Sequence, residues 1–307
     1  MPMVFYRLLR SLLGTLLVLW LVLTITFAML RHIPGGPFDA ERELPPQALG
    51  ALRNFQGEDR SLLGQYCHYL GRVVRGDLGP SLRQIGWSVR ELLVDKWAVS
   101  CELGAYAMAL ACCCGIVIGC AMQLDSSGRT QRIGLRGCTL LLCIPNFILG
   151  PLLNYLFTYR LHWFPSVGWH GWSSKILPVC TLAPCYLAVL AQLTWQGMAM
   201  EYGRAYVQTA RAKGLAEWQI FFRHVFFNGI QPAIAYIGPT CAGVLSGTFV
   251  VENVFHVPGM GRLFIESIAS RDHTTIVGIV LVHALLISSC NFIADLLLTI
   301  LNPRLRS

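Results

Sequence analysis

Long apolar runs separated by short polar segments make up most of this chain. A helix needs about 20 mostly apolar residues to cross a bilayer core about 30 Å thick. Six stretches meet that length, roughly residues 8–30, 98–122, 133–158, 176–200, 232–251 and 274–301. The pattern predicts an all-α, polytopic membrane protein with six transmembrane helices.

The segment between the first two spans is polar overall, yet part of it has apolar residues at helical spacing. These residues are Leu62, Leu63, Tyr66, Tyr69, Leu70 and Val73. Loops longer than about 12–15 residues are usually functional or disordered. We therefore predict three regions: a transmembrane helix over 1–31, a small helical insertion on the external side over 32–97, and a five-helix core over 98–307.

The first apolar run follows a basic start, as the apolar region of a signal peptide does. It exceeds the usual length of about 7–15 residues for such a region. No small-x-small cleavage pattern precedes Arg31. The sequence thus favours a retained helix.

Basic residues indicate the orientation of the chain. With 54% hydrophobic and 13% charged residues, the net charge of +8 lies mainly next to the spans. Eleven basic residues flank the spans on the side of both termini, and four lie in the short loops of the opposite side. Since cytoplasmic loops carry the excess of Lys and Arg, both termini are predicted to be cytoplasmic. The charge orients the chain in lipid, and nucleic-acid binding is not indicated.

The polar segment from 201 to 231 joins the fourth and fifth spans on this cytoplasmic side. Small residues at its centre allow a helix to approach another surface closely, and basic residues keep the segment out of the bilayer core. A short helix, a glycine break and a second amphipathic stretch predict a docking element for a soluble partner. The candidate docking residues are Thr209, Ala210, Arg211, Ala212, Lys213, Gly214 and Leu215.

Motifs for covalent, metal or nucleotide chemistry are absent from the sequence. No GxxxxGK[ST] phosphate loop occurs, since none of the three lysines, Lys96, Lys175 and Lys213, follows a glycine. Metalloprotease and GxSxG patterns are also missing. The twelve cysteines fall mostly in the spans, where cysteine packs as a small residue. The chain is predicted not to be an enzyme and to hold no cofactor of its own.

Two functional classes are compatible with these observations. One is the membrane pathway of a transporter driven by a separate ATPase; the other is an ion-coupled secondary transporter or an intramembrane enzyme. The second class normally needs several buried ionisable groups. Within the spans His283 and Asp295 are almost alone, which disfavours it. Thr240, Ser246 and Thr248 on the fifth span are candidate pathway residues.

Several separated motifs, in the same order, resemble the permeases of ABC importers, and more narrowly the peptide/nickel permease group. Residues 209–215 resemble the coupling loop of that family. The other matching motifs are Pro34-Gly35-Gly36-Pro37-Phe38, Glu41-Arg42, Leu44-Pro45-Pro46, 76–81, 87–89, Ile220, Arg223-His224, Pro232, 258–263, Arg271-Asp272, Asn291, Asp295 and 302–306. The Gly-Gly-Pro-Phe opening favours the oligopeptide branch over the dipeptide and nickel branches.

The resemblance implies a type I importer permease in a bacterial inner membrane, with 32–97 in the periplasm. It implies a second homologous permease, two cytoplasmic ATPases that carry ATP and Mg, a periplasmic peptide-binding protein and surrounding membrane lipid as partners. Oligopeptides would be the transported substrate, with dipeptides or nickel as alternatives. Two departures stand out: residues 226–231 replace the more usual basic and small residues, and Asn302 stands where Asp is common.

Overall fold

The structure is a computed structural model that describes residues 2–32, 61–84, 86–125 and 127–301. Within those ranges it is helical and contains no strand, and the predicted all-α class is confirmed. The predicted motifs in 34–46 and 302–306 lie outside the described residues. The helices are α1 Pro2–His32, α2 Leu62–Val74, α3 Val89–Leu124, α4 Arg129–Cys143, α5 Asn146–Asn154, α6 Trp172–Tyr202, α7 Ala205–Ala212, α8 Glu217–Ile220, α9 Phe226–Gly229, α10 Gln231–Val254, α11 Met260–Ala269 and α12 His273–Leu301.

Four described helices are long and apolar enough to cross a membrane: α1, α3, α6 and α12. A fifth candidate consists of α4, α5 and a π-helical extension over Tyr155–Arg160, with a bend of 95° at its break. The bend falls at Ile144 and Pro145, both extended, because a residue before proline is disfavoured in the helical region. Helix α10 has 24 residues, a length of about 36 Å. The number of six spans stays a prediction.

Contacts divide the chain into two compact units, 1–100 with 257–307, and 101–256. The predicted regions 1–31, 32–97 and 98–307 stay a prediction. In the first unit, α1 packs against α2 and α12. Tyr69 and Leu281 are buried there beside Phe27, and the Thr24 and Tyr66 hydroxyls are 2.8 Å apart. The amphipathic pattern predicted within the insertion is therefore a real helix, α2. Its apolar side is covered from Tyr66 onwards, whereas Leu62 and Leu63 at its start are exposed.

Asp272 connects two of the motifs that the sequence analysis noted separately. It precedes α12, and its carboxylate accepts the Thr275 N–H at 3.1 Å, as an N-cap does. The same carboxylate accepts the Ser81 hydroxyl at 2.6 Å and the Thr275 hydroxyl at 2.8 Å. Burial by itself raises the pKa of Asp272, but the hydrogen bonds from Ser81 and Thr275 outweigh it and hold the pKa below its usual value.

We expect Asp272→Ala to destabilise the protein by about 2 kcal/mol, because α12 loses its cap and buried donors lose their acceptor. A carboxylate with a depressed pKa stabilises the fold above its unfolded pKa of about 3.9, and that contribution is lost as the pH falls. Thermal unfolding of the purified protein from pH 7 down to about pH 2, a range that passes below the unfolded pKa, measures both effects. Asp95→Ala, at an exposed carboxylate on α3, is the control. An unchanged melting temperature for Asp272→Ala at pH 7 would contradict the role of Asp272.

In the second unit, α3 and α6 cross at very short distance. A Cβ on Gly115 would lie 2.9 Å from the Leu187 carbonyl oxygen, and one on Gly119 would lie 2.7 Å from that of Ala191. Small residues permit this close approach of membrane helices. At the other end of α6, Lys175 forms an ion pair with Glu102 and lies 5.0 Å from the centre of the Trp169 ring. The ion pair attaches the beginning of α6 to α3, and Trp169 Nε1 donates to Glu102 at 2.8 Å, which attaches the loop before α6 as well.

Candidate functional site: the docking segment

Residues 201–231, called the docking segment below, lie wholly in the second unit. Helix α6 ends at Tyr202, and Arg204 is extended. Helix α7 then runs for eight residues. After α8, a π-helical segment over Phe221–Val225 leads through α9 into α10. The short helix and the second helical stretch that the sequence predicts are therefore present.

Helix α7 ends in a Schellman motif, and this fixes the position of Gly214. The Gly214 N–H donates to the Arg211 carbonyl at 2.9 Å, and the Leu215 N–H donates to the Ala210 carbonyl at 3.3 Å. Gly214 has a φ of +78°, which glycine adopts without the steric cost that a side chain brings. A Cβ at Gly214 would meet nothing within 4 Å. The glycine is thus required by the backbone turn, and the space beside it is open.

One side of α7 is buried against the rest of the second unit. Val207 and Ala210, one helical turn apart, are both buried. They belong to one apolar cluster whose other buried members are Met198, Ile220, Phe221 and Val225. Burying a side chain of the size of valine contributes roughly 1.5–3 kcal/mol. Helix α7 is therefore packed onto the end of α6 rather than projecting as a separate arm.

The docking segment also touches α6 backbone to backbone. A Cβ on Gly197 would overlap the carbonyl oxygen of Gly229, and one on Gly229 would lie 2.8 Å from the Met198 Cα. Real Cβ atoms essentially never come that close to other heavy atoms. The crossing of α6 with α9 thus depends on glycine in both helices.

Polar contacts fix α7 from its other side. The Tyr206 hydroxyl donates to the Glu201 carboxylate at the end of α6 and accepts from Asn228 Nδ2 at 3.3 Å. Asn228 Nδ2 also lies 3.2 Å from the His224 carbonyl oxygen. Tyr206 therefore links α6, α7 and the segment leading to α10.

Arg211 and Glu217 form a bidentate ion pair across the turn at Gly214. Arg211 Nε lies 2.7 Å from Glu217 Oε1, and Nη2 lies 3.2 Å from Oε2. The Arg211 hydrogen bond holds the pKa of Glu217 below its usual value. Because both side chains are well exposed, the pair stabilises the turn by no more than about 1 kcal/mol. Within the described chain, no ion pair involves Lys213 or Arg223.

The structure places the predicted docking residues in two environments. Ala210 faces the buried cluster, and the Thr209 hydroxyl donates to the Ala205 carbonyl at 3.0 Å. The exposed residues of the set are Thr209, Arg211, Ala212, Lys213, Gly214 and Leu215, and they form the tip of the segment. Sequence reasoning missed the supporting residues Val207 and Tyr206. The signal available for Val207 was its spacing of three from Ala210.

The predicted pathway residues lie on α10. Thr240 and Thr248 are buried, and the Thr240 hydroxyl donates to the Tyr236 carbonyl at 2.6 Å. The side chains of Ser246 and Asp295 lie outside the described part of the chain. Sequence reasoning missed Glu252, which is fully buried one turn after Thr248. An acidic residue near the end of an apolar run was the signal. The pathway assignment stays a prediction.

Comparisons with known proteins give the class of this protein. Residues 115–307 match the family described as "Binding-protein-dependent transport system inner membrane component". The match covers more than half of the chain, and the chain belongs to that family. It is a multi-pass transport component of the inner membrane and not itself a catalyst, and the resemblance noted from its motifs is confirmed.

Individual relatives extend the match to almost the whole chain. The oligopeptide transport system permease protein OppB of Salmonella typhimurium is 33% identical over 300 residues, covering 97% of this chain and 98% of that protein. The dipeptide transport system permease protein DppB of Bacillus subtilis is 34% identical over 285 residues, covering 93% and 92%. A crystal structure of an amino acid ABC transporter with histidines has the same fold. Its TM-score is 0.56 at 15% identity, over 67% of this chain and 92% of that one.

Proposed function

We propose that this chain is the permease subunit of an ATP-driven importer of oligopeptides, with both termini and the docking segment in the cytoplasm. The match over 97% of the chain to an oligopeptide permease supports the substrate class. The dipeptide permease of Bacillus subtilis is similarly close, so dipeptides are the second candidate. The excess of basic residues beside the termini supports the orientation.

The observation that carries the proposal is an exposed tip on a buried, packed base. The tip holds small and polar residues, and the base is the apolar cluster around Val207 and Ala210. Since packed interiors transmit displacement with little deformation, a force on the tip would move the ends of α6 and α10 together. In this proposal two cytoplasmic ATPases, which carry ATP and Mg, supply that force.

Transport requires that the ATPases bind the tip differently in their two states, because only differential contacts shift a conformational equilibrium. In the proposed cycle, ATP-driven closure of the ATPase pair turns the bundle from inward-open to outward-open. A second homologous permease completes the pathway, and a periplasmic peptide-binding protein delivers the peptide. Hydrolysis takes place on the ATPases, and this chain forms part of the route through the membrane.

The two basic residues of the tip, Arg211 and Lys213, differ in whether an acidic side chain compensates their charge. The positive charge of Arg211 is largely compensated by Glu217. Lys213 is exposed and extends from the last turn of α7. We therefore assign to Lys213, rather than to Arg211, the salt-dependent attraction to an acidic ATPase surface. Such an exposed attraction contributes about 0.2–1 kcal/mol.

We expect a photo-reactive phenylalanine at position 213 to crosslink to an ATPase subunit when all transporter subunits are co-expressed. The experiment detects the adduct by its mass and by antibody to the ATPase. The control places the same residue at Leu140, which is 65% exposed on the predicted third span and should give no ATPase adduct. An adduct of position 213 with the periplasmic binding protein would refute the proposed orientation. Uptake by the reconstituted chain alone, driven by an ion gradient, would favour a secondary transporter instead.

A further inference from the structure

The second half of the docking segment has an exposed row of aromatic side chains. Trp218, Phe222 and Phe227 are 65%, 58% and 69% exposed, and these three residues are called the aromatic face below. Their neighbours Phe221 and Val225 are buried in the cluster that holds α7. The segment thus buries some of its apolar side chains against the rest of the second unit and leaves three large aromatic side chains uncovered.

We propose that the aromatic face rests on the cytoplasmic surface of the membrane, with its rings at the level of the lipid headgroups and Arg223 bound to the phosphates of anionic lipids. The partner is the lipid surface, and not a second protein. Aromatic residues are the ones that proteins place at this boundary, because their bodies are apolar and the boundary is partly wet. Large aromatic patches exposed on a protein mark an interaction site.

Continuity with the membrane supports this assignment. The segment leads directly into α10, which begins at Gln231 and is the predicted fifth span. At a rise of about 1.5 Å per residue, Phe227 lies at most about 6 Å before the start of α10, and Phe222 at most about 14 Å. The headgroup layer on each side is roughly 5–8 Å deep. Phe227 is therefore close enough to contact that layer at any angle between the segment and the membrane plane. Phe222 can contact the layer if the segment runs along the membrane surface.

Charge complementarity favours lipid as the occupant. The sequence from 218 to 231 contains no acidic residue, and its one Lys or Arg residue is Arg223. Arg223 is exposed, and a guanidinium binds phosphate oxygens in a bidentate manner. The cytoplasmic leaflet attracts basic residues next to transmembrane helices because its lipids are partly anionic.

The tip is proposed to bind an ATPase and the aromatic face to contact lipid, and the chemistry of the two surfaces differs accordingly. Around Gly214 the tip presents small and polar groups, whereas the aromatic face presents three large rings. With the aromatic face held at the lipid surface, movement of the tip would rotate α7 and its cluster about a support in the membrane interface.

The test places a photo-reactive phenylalanine at position 222 in the fully assembled transporter, in nanodiscs of phosphatidylcholine and phosphatidylglycerol. We expect adducts with lipid, detected as a mass increase of one phospholipid on this chain. Adducts with an ATPase subunit or with the second permease would overturn the proposal. Position 213, in the same preparation, is the matched control for the proposed function. An ATPase adduct at 213 with a protein adduct at 222 would refute the lipid contact alone.

A second measurement, of which lipid forms the adducts, tests the role of Arg223. We expect Arg223→Gln to lower the proportion of phosphatidylglycerol among the lipid adducts of position 222 by about fivefold, while Arg223→Lys retains most of it. A merely structural role of Arg223 would change the total yield without changing the lipid preference. Equal preference in wild type and Arg223→Gln would overturn the phosphate contact.

Discussion

Gly197→Ala is expected to destabilise the protein by about 3 kcal/mol, the upper end of the range for overpacked interiors. The new methyl group would overlap the Gly229 carbonyl oxygen. Backbone atoms cannot rotate away as a side chain can, so α6 and α9 would have to separate. Separation would also open the buried cluster around Met198, which holds α7. The measurement is the apparent melting temperature of the purified protein in detergent, together with its abundance in membranes.

Gly137→Ala is the matched control for this substitution. Gly137 lies inside α4, and a Cβ there would meet nothing within 4 Å. Alanine in a helix interior stabilises the helix by roughly 0.5–1 kcal/mol relative to glycine. This variant should therefore melt at or slightly above the temperature of the wild type. If Gly197→Ala behaved like Gly137→Ala, the close crossing of α6 and α9 would be disproved.

Gly214→Val is expected to reduce peptide uptake by the assembled transporter at least about tenfold while the protein stays in the membrane at normal abundance. A left-handed conformation costs a residue with a side chain roughly 1–2 kcal/mol. That is enough to reshape the end of α7, yet it is less than the burial of Val207 and Ala210 together contributes. The tip would change shape on an intact base, and ATP hydrolysis would continue without uptake. Uptake into proteoliposomes and ATP hydrolysis, measured on the same preparation, test this.

Gly214→Asn separates the backbone turn from the need for a small side chain. Asparagine adopts the left-handed conformation more readily than other residues with a side chain. If Gly214→Asn retains uptake and Gly214→Val loses it, the loss of uptake is due to the backbone turn. Loss in both would assign it to the open space beside Gly214, where the proposed ATPase contact lies. Normal uptake by Gly214→Val at normal abundance would show that the tip does not couple ATP hydrolysis to uptake.

The helical pattern of the chain was predictable because apolar spacing and length carry most of the information. Helix α2 and the break at Gly214 are visible in the sequence, as are the long helices α3, α6 and α12. The sharp bend at Pro145 was not predictable, since a proline shows that a helix is disturbed but not the resulting angle. Its 95° depends on the packing on either side.

Contacts between distant positions were not predictable. Ser81 and Asp272 are separated by 191 positions, and nothing in either motif alone indicates that they meet. The pairing of Arg211 with Glu217 likewise depends on the turn at Gly214, which brings residues of two helices together. From the sequence, Arg211 was expected to be available to a partner. The glycine pair of α6 and α9 was missed for the same reason, because two ordinary glycines become informative only when their helices cross.

The π-helical segment at Phe221–Val225 determines which residue of the following helix faces α6. Hydrogen bonds in a π-helix join residues five apart instead of four, so the stretch accommodates one extra residue. One residue corresponds to about 100° of rotation around an α-helix axis. An unbroken α-helix over the same sequence would therefore turn Gly229 away from Gly197 and direct a bulkier neighbour towards α6. The length of this stretch, counted in residues, is thus as essential to the contact as the glycine itself.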